Sequence, residues 1–414
     1  MSRKLDLRTA PRIAHYFRDV DLVGKSRPEF LPEGFPLNCQ NDNDKWSAAY
    51  LLRIAVRFRH LWATYGIRDG VRTIQGPQPV VCFSSFSLAD LITVRDGFRP
   101  QNEAVTQFAL TFPKKNAERG GIQPLAHWSH GGAYLQDGTP LELNGHGNPQ
   151  NQFRFVDAEY NLSNQLRGCA EWRWQYSGNY PRSIDRIEMD GVEGNTIPGL
   201  KLTQKKWSGI GVVVPDMATA RVLQYDILLL IDRKIVSETQ FDHILVCDQL
   251  PASMSGLGEE DMRTSFSKAC FDFKACMSVS ILGAHVSLLD FSSRVLILET
   301  STLRNPVREK GGCWLWFEDN THPYIRALIK MGRVKANKRG RYLASLDELD
   351  LYRDLREREG IAGELSAQLQ ERFGIRSSYF SVLNSHCPDD DPCYCGRCWG
   401  GGYYITDTPD DEEE

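Results

Sequence analysis

The segment Ala170-Glu171-Trp172-Arg173-Trp174 places one carboxylate and one guanidinium among bulky aromatics. In an extended strand, alternation sends Glu171 and Arg173 to one face and Trp172 and Trp174 to the other. A carboxylate set near aromatics and an arginine can stabilise an oxocarbenium-like transition state or orient a ribose hydroxyl. The competing reading is a structural cross-strand ion pair. Arg53, Arg57 and His60 recur at i, i+4 and i+7, with Arg68 and Arg72 close behind. Arginine's planar fork suits a pyrophosphate, although a solvated helix face has the same look. Ser84-Ser85-Phe86-Ser87 follows a strand-like run and offers hydroxyls to a ligand, or an N-cap to a helix opening near Leu88.

Two further groups carry chemistry. His386 precedes Cys387, Cys393, Cys395 and Cys398, four thiols within twelve residues. Their spacing departs from paired CxxC motifs but could hold a tetrahedral zinc, with loose thiols in a tail as the alternative. Arg333, Lys335, Lys338, Arg339 and Arg341 fall within nine residues beside Tyr342. Such a loop can neutralise phosphates and bring an aromatic to a base, or it can simply face solvent. His127, His130 and His146 lie in or near a Gly-, Asn- and Gln-rich stretch without metal-ligand spacing, and read as loop histidines.

These groups need a scaffold. At 414 residues the chain asks for two or three domains, and 41% hydrophobic with 25% charged residues is globular composition. A net charge of −4 provides no global attraction to nucleic acid or anionic membrane. The charged N-terminus, the absence of a long apolar run and an odd count of 11 cysteines lead us to expect a cytoplasmic protein with reduced thiols and no membrane. The pattern predicts an irregular arm over 1–44. A helix should follow from Lys45 to about Tyr65, capped by Asp44 and burying Leu51, Ile54, Ala55, Phe58 and Trp62. Strands are expected at 80–83, 108–112 and 171–174, a helix at 219–236, a strand at 241–247, and strand-like segments at 278–282 and 294–298. Ser345-Leu-Asp-Glu348 reads as a capping box opening a helix to Glu359, interrupted by Gly360. The tail from Asp407 is acidic and expected to be disordered.

The segment Arg72-Thr-Ile-Gln-Gly-Pro-Gln-Pro-Val-Val-Cys-Phe-Ser84 resembles a motif of bacterial abortive-infection-like, phage-defence proteins. Phe108 to Lys115 with Gly120-Gly121, and the Ala170–Trp174 strand, resemble two further blocks of that family. Gly312 to Leu343 resembles a C-terminal module of unknown function. Gln75, Ser85 and Gln123 depart from the family pattern of Tyr, Glu and Arg. The strand-and-carboxylate layout is similar to ADP-ribosyltransferase-fold toxins. That resemblance implies Glu171 as catalytic glutamate, Arg173 bracing it, and Arg72 with Ser84, Ser85 and Ser87 holding NAD; the helix-face spacing adds Arg57 and His60 as candidate cofactor ligands.

The expectation is therefore an α+β protein. It comprises an ADP-ribosyltransferase-like mixed-sheet domain over 45–205, an α/β domain over 206–345, a helical, Cys-rich segment over 346–406 and a tail over 407–414. Its expected activity is that of an NAD-using transferase or glycohydrolase. The alternative is a non-catalytic, antitoxin-like protein that binds nucleic acid or a partner encoded nearby through loop 333–341 and the cysteine knuckle.

Overall fold

The computed structural model describes residues 11–21, 45–68, 71–72, 78–129, 132–135, 153–155, 171–190, 197–203, 206–253, 259–392 and 394–395. Helices and strands are both abundant, and the fold class is α+β. The chain forms two compact units, one of residues 1–220 with 239–272 and the other of residues 221–238 with 273–414.

The first unit is organised by an eight-stranded mixed sheet. Its spatial order is Cys270–Asp272, Phe241–Val246, Ile210–Val214, Ala109–Pro113, Arg12–Tyr16, Val80–Ser85, Glu171–Gln175 and Gln123–Pro124. Among the described residues of this sheet, only Ile210–Val214 and Phe241–Val246 pair in parallel. Both read as near-continuous apolar runs, the signature of strands buried on two faces. Helices Leu88–Arg95 and Glu259–Ala269 contribute Leu91, Ile92, Phe266 and Ala269 to a core with Ala109, Val213 and Leu245.

The observed division differs from the expected one in two places. Arg12–Tyr16, assigned to an irregular arm, is a central strand whose Ile13 and Ala14 are fully buried. A boundary near 205/206 does not appear, because Ile210–Val214 bonds directly to Ala109–Pro113 and extends the same sheet. The first helix is also shorter than expected, running from Ala48 to Phe58. Ser47 rather than Asp44 caps it, accepting from the Tyr50 amide at 3.2 Å, and Arg59 ends it with φ 53°. His60 then opens the strand His60–Trp62, paired with Gly199–Lys201.

The second unit contains a five-stranded antiparallel sheet ordered Val334–Ala336, Tyr342–Ser345, Gly311–Phe317, Ser377–Leu383 and Tyr394–Cys395. Helices Ile281–Ser301 and Leu355–Phe373 pack Phe291, Val295, Ile361, Leu365 and Leu369 against Leu315, Phe317 and Tyr342. The segment 294–298, expected as a strand, lies inside Ile281–Ser301. Ser280 caps that helix, and no Gly or Pro breaks it after its first turn. The capping box at Ser345 does not form either. Asp354 starts the helix by accepting from Arg356 N at 3.0 Å, while Glu348 is drawn to Arg333. Gly360 does not interrupt the helix, which ends at Gly374 with φ 70°, a left-handed cap that favours glycine.

Candidate functional site

Strand register assembles the site. Glu171–Gln175 pairs antiparallel with Val80–Ser85, setting Glu171 opposite Ser84 and Arg173 opposite Cys82. Directly opposed residues share a face, so these four side chains lie together while Trp172 and Phe83 lie behind them. The same register continues across the sheet. Ser84 faces Ala14, Ala14 faces Thr111, Thr111 faces Gly211, Gly211 faces His243 and His243 faces Asp272. One transverse row therefore carries Glu171, Ser84, Thr111, His243 and Asp272 over small Ala14 and Gly211. The row behind it is Trp172, Phe83, His15, Leu110, Val212 and Ile244, which is almost wholly apolar.

Contacts on the polar face agree with this geometry. The Arg173 guanidinium donates to the Cys82 sulfur, and the charges of Arg173 and Glu171 act on that thiol in opposite senses. Ser84 and Arg173 are both more than nine-tenths buried. Arg12 projects from the central strand and donates from Nε to Thr111 Oγ1 at 3.1 Å and from Nη2 to the Thr111 and Gly209 carbonyls. Burial pulls its pKa down to about 10, against the opposing pull of Asp242 and Cys270, so it remains a cation at neutral pH. His243 is buried with Nδ1 at 3.3 Å from Asp242 Oδ2. Loss of water holds its pKa below the usual histidine value despite that carboxylate.

Neighbouring strands lie about 4.8 Å apart, so Thr111 sits about 14 Å from Glu171 and His243 about 24 Å away. Glu171 and His243 cannot act on one bond. The face instead has one polar end, where Glu171, Ser84, Cys82 and Arg173 lie together, and a second built by Arg12, Thr111 and His243.

The other expected cofactor residues fall elsewhere. Ser85 opposes Ile13, on the side away from Glu171, because alternation reverses it relative to Ser84. Ser87 caps helix Leu88–Arg95, its Oγ accepting from the Asp90 amide at 3.2 Å. His60 is buried and donates from Nε2 to the Ile197 carbonyl, leaving Nδ1 without a partner. It is a neutral core histidine and not a phosphate ligand, and burial lowers its pKa. Arg57 lies in the last turn of Ala48–Phe58, a helix that no longer includes His60. Arg72 belongs to the short strand Val71–Arg72, but its side chain lies outside the described residues.

Of the cysteine cluster, Cys387 is exposed, Cys395 pairs through its backbone with Phe380, and Cys393 and Cys398 lie outside the described residues. Among the described residues no group of three His, Cys, Asp or Glu side chains is placed to hold a metal ion. His130 and His146 lie outside the described residues, and so does the side chain of His127.

Acidic neighbours hold most of the basic loop. Arg333 bonds Glu348 at 2.6 Å and Asp347 at 2.9 Å, Lys338 lies 3.9 Å from Asp389, and Arg339 is paired with Asp391. Arg341 stacks its guanidinium 5.7 Å from the Trp316 ring and 5.5 Å from Phe380. Lys335 and Arg333 line a cleft of about 300 Å³ with Trp314 and Asn337. Four of the five cations, Arg333, Lys338, Arg339 and Arg341, therefore lie against neighbouring carboxylates or rings.

Arg12, Thr111, Asp242 and His243 do not stand out in the sequence. They meet only through pairing of strands far apart in the chain, and no local spacing signals that.

Residues 286–400 match a family described as a protein of unknown function (DUF4427). No curated protein and no solved structure matches the chain.

Proposed function

We propose that this chain is an NAD-using, ADP-ribosyltransferase-like enzyme of the abortive-infection, phage-defence kind, with Glu171 as its catalytic carboxylate. The observation that carries the reading is the sheet face on which Glu171 stands beside Ser84 and shares its surroundings with Arg173. The donor set fits a ribosyl group: a carboxylate and a hydroxyl lie side by side on adjoining strands, and a buried cation lies two residues along. NAD would supply a ribosyl carbon bearing nicotinamide as leaving group.

Glu171 would accept a hydrogen bond from a ribose hydroxyl and oppose the positive charge that develops as the glycosidic bond breaks. Ser84 would fix the carboxylate from the next strand, and Arg173, two residues along on the same face, would act as a positioning residue. Arg12 lies about 14 Å along the face, where a cation can meet a diphosphate.

Saturation-transfer NMR with NAD separates binding from chemistry. Glu171→Gln should retain NAD contact, and Arg12→Gln should lose it. NAD that contacts neither wild type nor Glu171→Gln would rule out the proposal.

A further inference from the structure

Among the described residues, Ile281–Ser301 is a helix long and apolar enough to cross a membrane by composition, yet only 22% of its apolar window is buried. One face buries Ala284 and packs Phe291, Val295 and Leu298 into the core of the second unit. The other face is bare. Leu282 is 77% exposed, Val286 58%, Leu289 67% and Leu296 52%, with Ile281 and Ile297 at 69% and 63%.

Positions 282, 286, 289, 293 and 296 alternate steps of four and three, the 3.5-residue period of a helix–helix seam. Its leucines, Leu282, Leu289 and Leu296, are spaced seven apart and are symmetric about Leu289. Ile281-Leu282 lies seven to eight residues before it and Leu296-Ile297 seven to eight residues after it, while His285 and Ser293 sit four residues to either side.

We propose that this helix pairs antiparallel with the same helix of a second copy of the chain, about a two-fold axis through Leu289. In that arrangement Leu289 meets Leu289, Leu282 meets Leu296, and Val286 lies opposite Ser292, while Ile281 and Ile297 flank the seam on opposite edges. Leu282, Leu289 and Leu296 then form three leucine layers along the seam, as a self-complementary two-fold interface requires. Six such side chains bring about 600 Å² of apolar surface per copy, so two copies reach ~1,200 Å², the lower bound for a specific interface.

A bilayer suits the helix less well. Spanning would strip Phe291 and Val295 from their core, and no Lys or Arg occupies the exposed stripe to meet headgroups.

Cysteine cross-linking of the full chain reads the geometry. Leu289→Cys should give a covalent dimer on mild oxidation that wild type does not give. Leu282→Cys should cross-link with Leu296→Cys but not with itself. Leu289→Glu, fully solvated in the monomer, should leave helical content unchanged and weaken dimerisation at least 100-fold in sedimentation equilibrium. A chain that stays monomeric at 50–100 μM, or Leu282→Cys cross-linking to itself as well as Leu289→Cys does, would overturn the proposal. So would a monomer that floats with phosphatidylserine vesicles through this same face.

Discussion

Replacing Gly211 with alanine tests the polar row at its most crowded point. A Cβ at this position would lie 2.5 Å from Thr111 Oγ1 and 2.6 Å from both Cε1 and Nε2 of His243. Neither neighbour can step aside freely. Thr111 is fully buried and its hydroxyl accepts from Arg12, while His243 is buried and its other nitrogen faces Asp242. Overpacking costs about 1–3 kcal/mol, and breaking the charge-assisted bond from Arg12 adds about 1.5–3 kcal/mol. The small gain from a less flexible unfolded chain, up to ~1 kcal/mol, offsets part of this. A net loss of about 3 kcal/mol corresponds to roughly 100-fold faster amide exchange wherever exchange follows opening of the sheet. Hydrogen exchange read by mass spectrometry should show that acceleration in peptides covering 210–214 and 241–246, with 355–373 unchanged. Exchange within threefold of wild type in both sheet peptides would refute the placement of Thr111, Gly211 and His243 on one face.

Three further outcomes follow from the same packing. Arg326 and Asp232 are nearly buried and joined by two bonds of 2.6 and 2.8 Å, with the Tyr342 hydroxyl donating to the same carboxylate at 2.7 Å. Arg326→Met should therefore cost about 3–5 kcal/mol in urea unfolding by stranding the Asp232 charge, and adding Asp232→Leu should recover part of it. Gly360 and Gly363 are exposed in Leu355–Phe373 with open space at their missing Cβ positions, so alanine at either should raise stability by about 0.5–1 kcal/mol. His60 and His243 both have folded pKa values lowered by burial, so the unfolded chain takes up protons first on acidification. Their stabilisation is complete above about pH 6.5 and is lost as pH falls from there through the folded values. The urea midpoint should drop between pH 7.5 and 5.5, and a midpoint that rises would contradict the burial of both rings.

Legibility of the fold followed the range of the interactions. The alternation of Glu171 and Arg173 against Trp172 and Trp174 was readable because a strand's period of two is local. Ser87 as an N-cap was readable for the same reason. Helix ends were harder to read: Ser345 and Glu348 match a capping box, but Arg333 draws Glu348 away and Asp354 takes over. The site itself was half legible. Register sets Ser84 opposite Glu171 with Arg173 two residues along, whereas Ser85, Ser87 and His60 fall elsewhere, since one residue of register or one cap redirects each of them. Arg12 lay in a segment that reads as irregular, and its place beside Thr111 emerges only because Arg12–Tyr16 is inserted between Val80–Ser85 and Ala109–Pro113.

The most direct measurement of the central claim is nicotinamide release from NAD by the full chain, alone and with cellular protein, RNA and DNA as acceptors. Wild type should release nicotinamide, and Glu171→Gln should lower the rate at least 100-fold while NAD still contacts the protein. Ser84→Ala should fall between them. Release unchanged in Glu171→Gln, or none from wild type with any acceptor, would contradict the account.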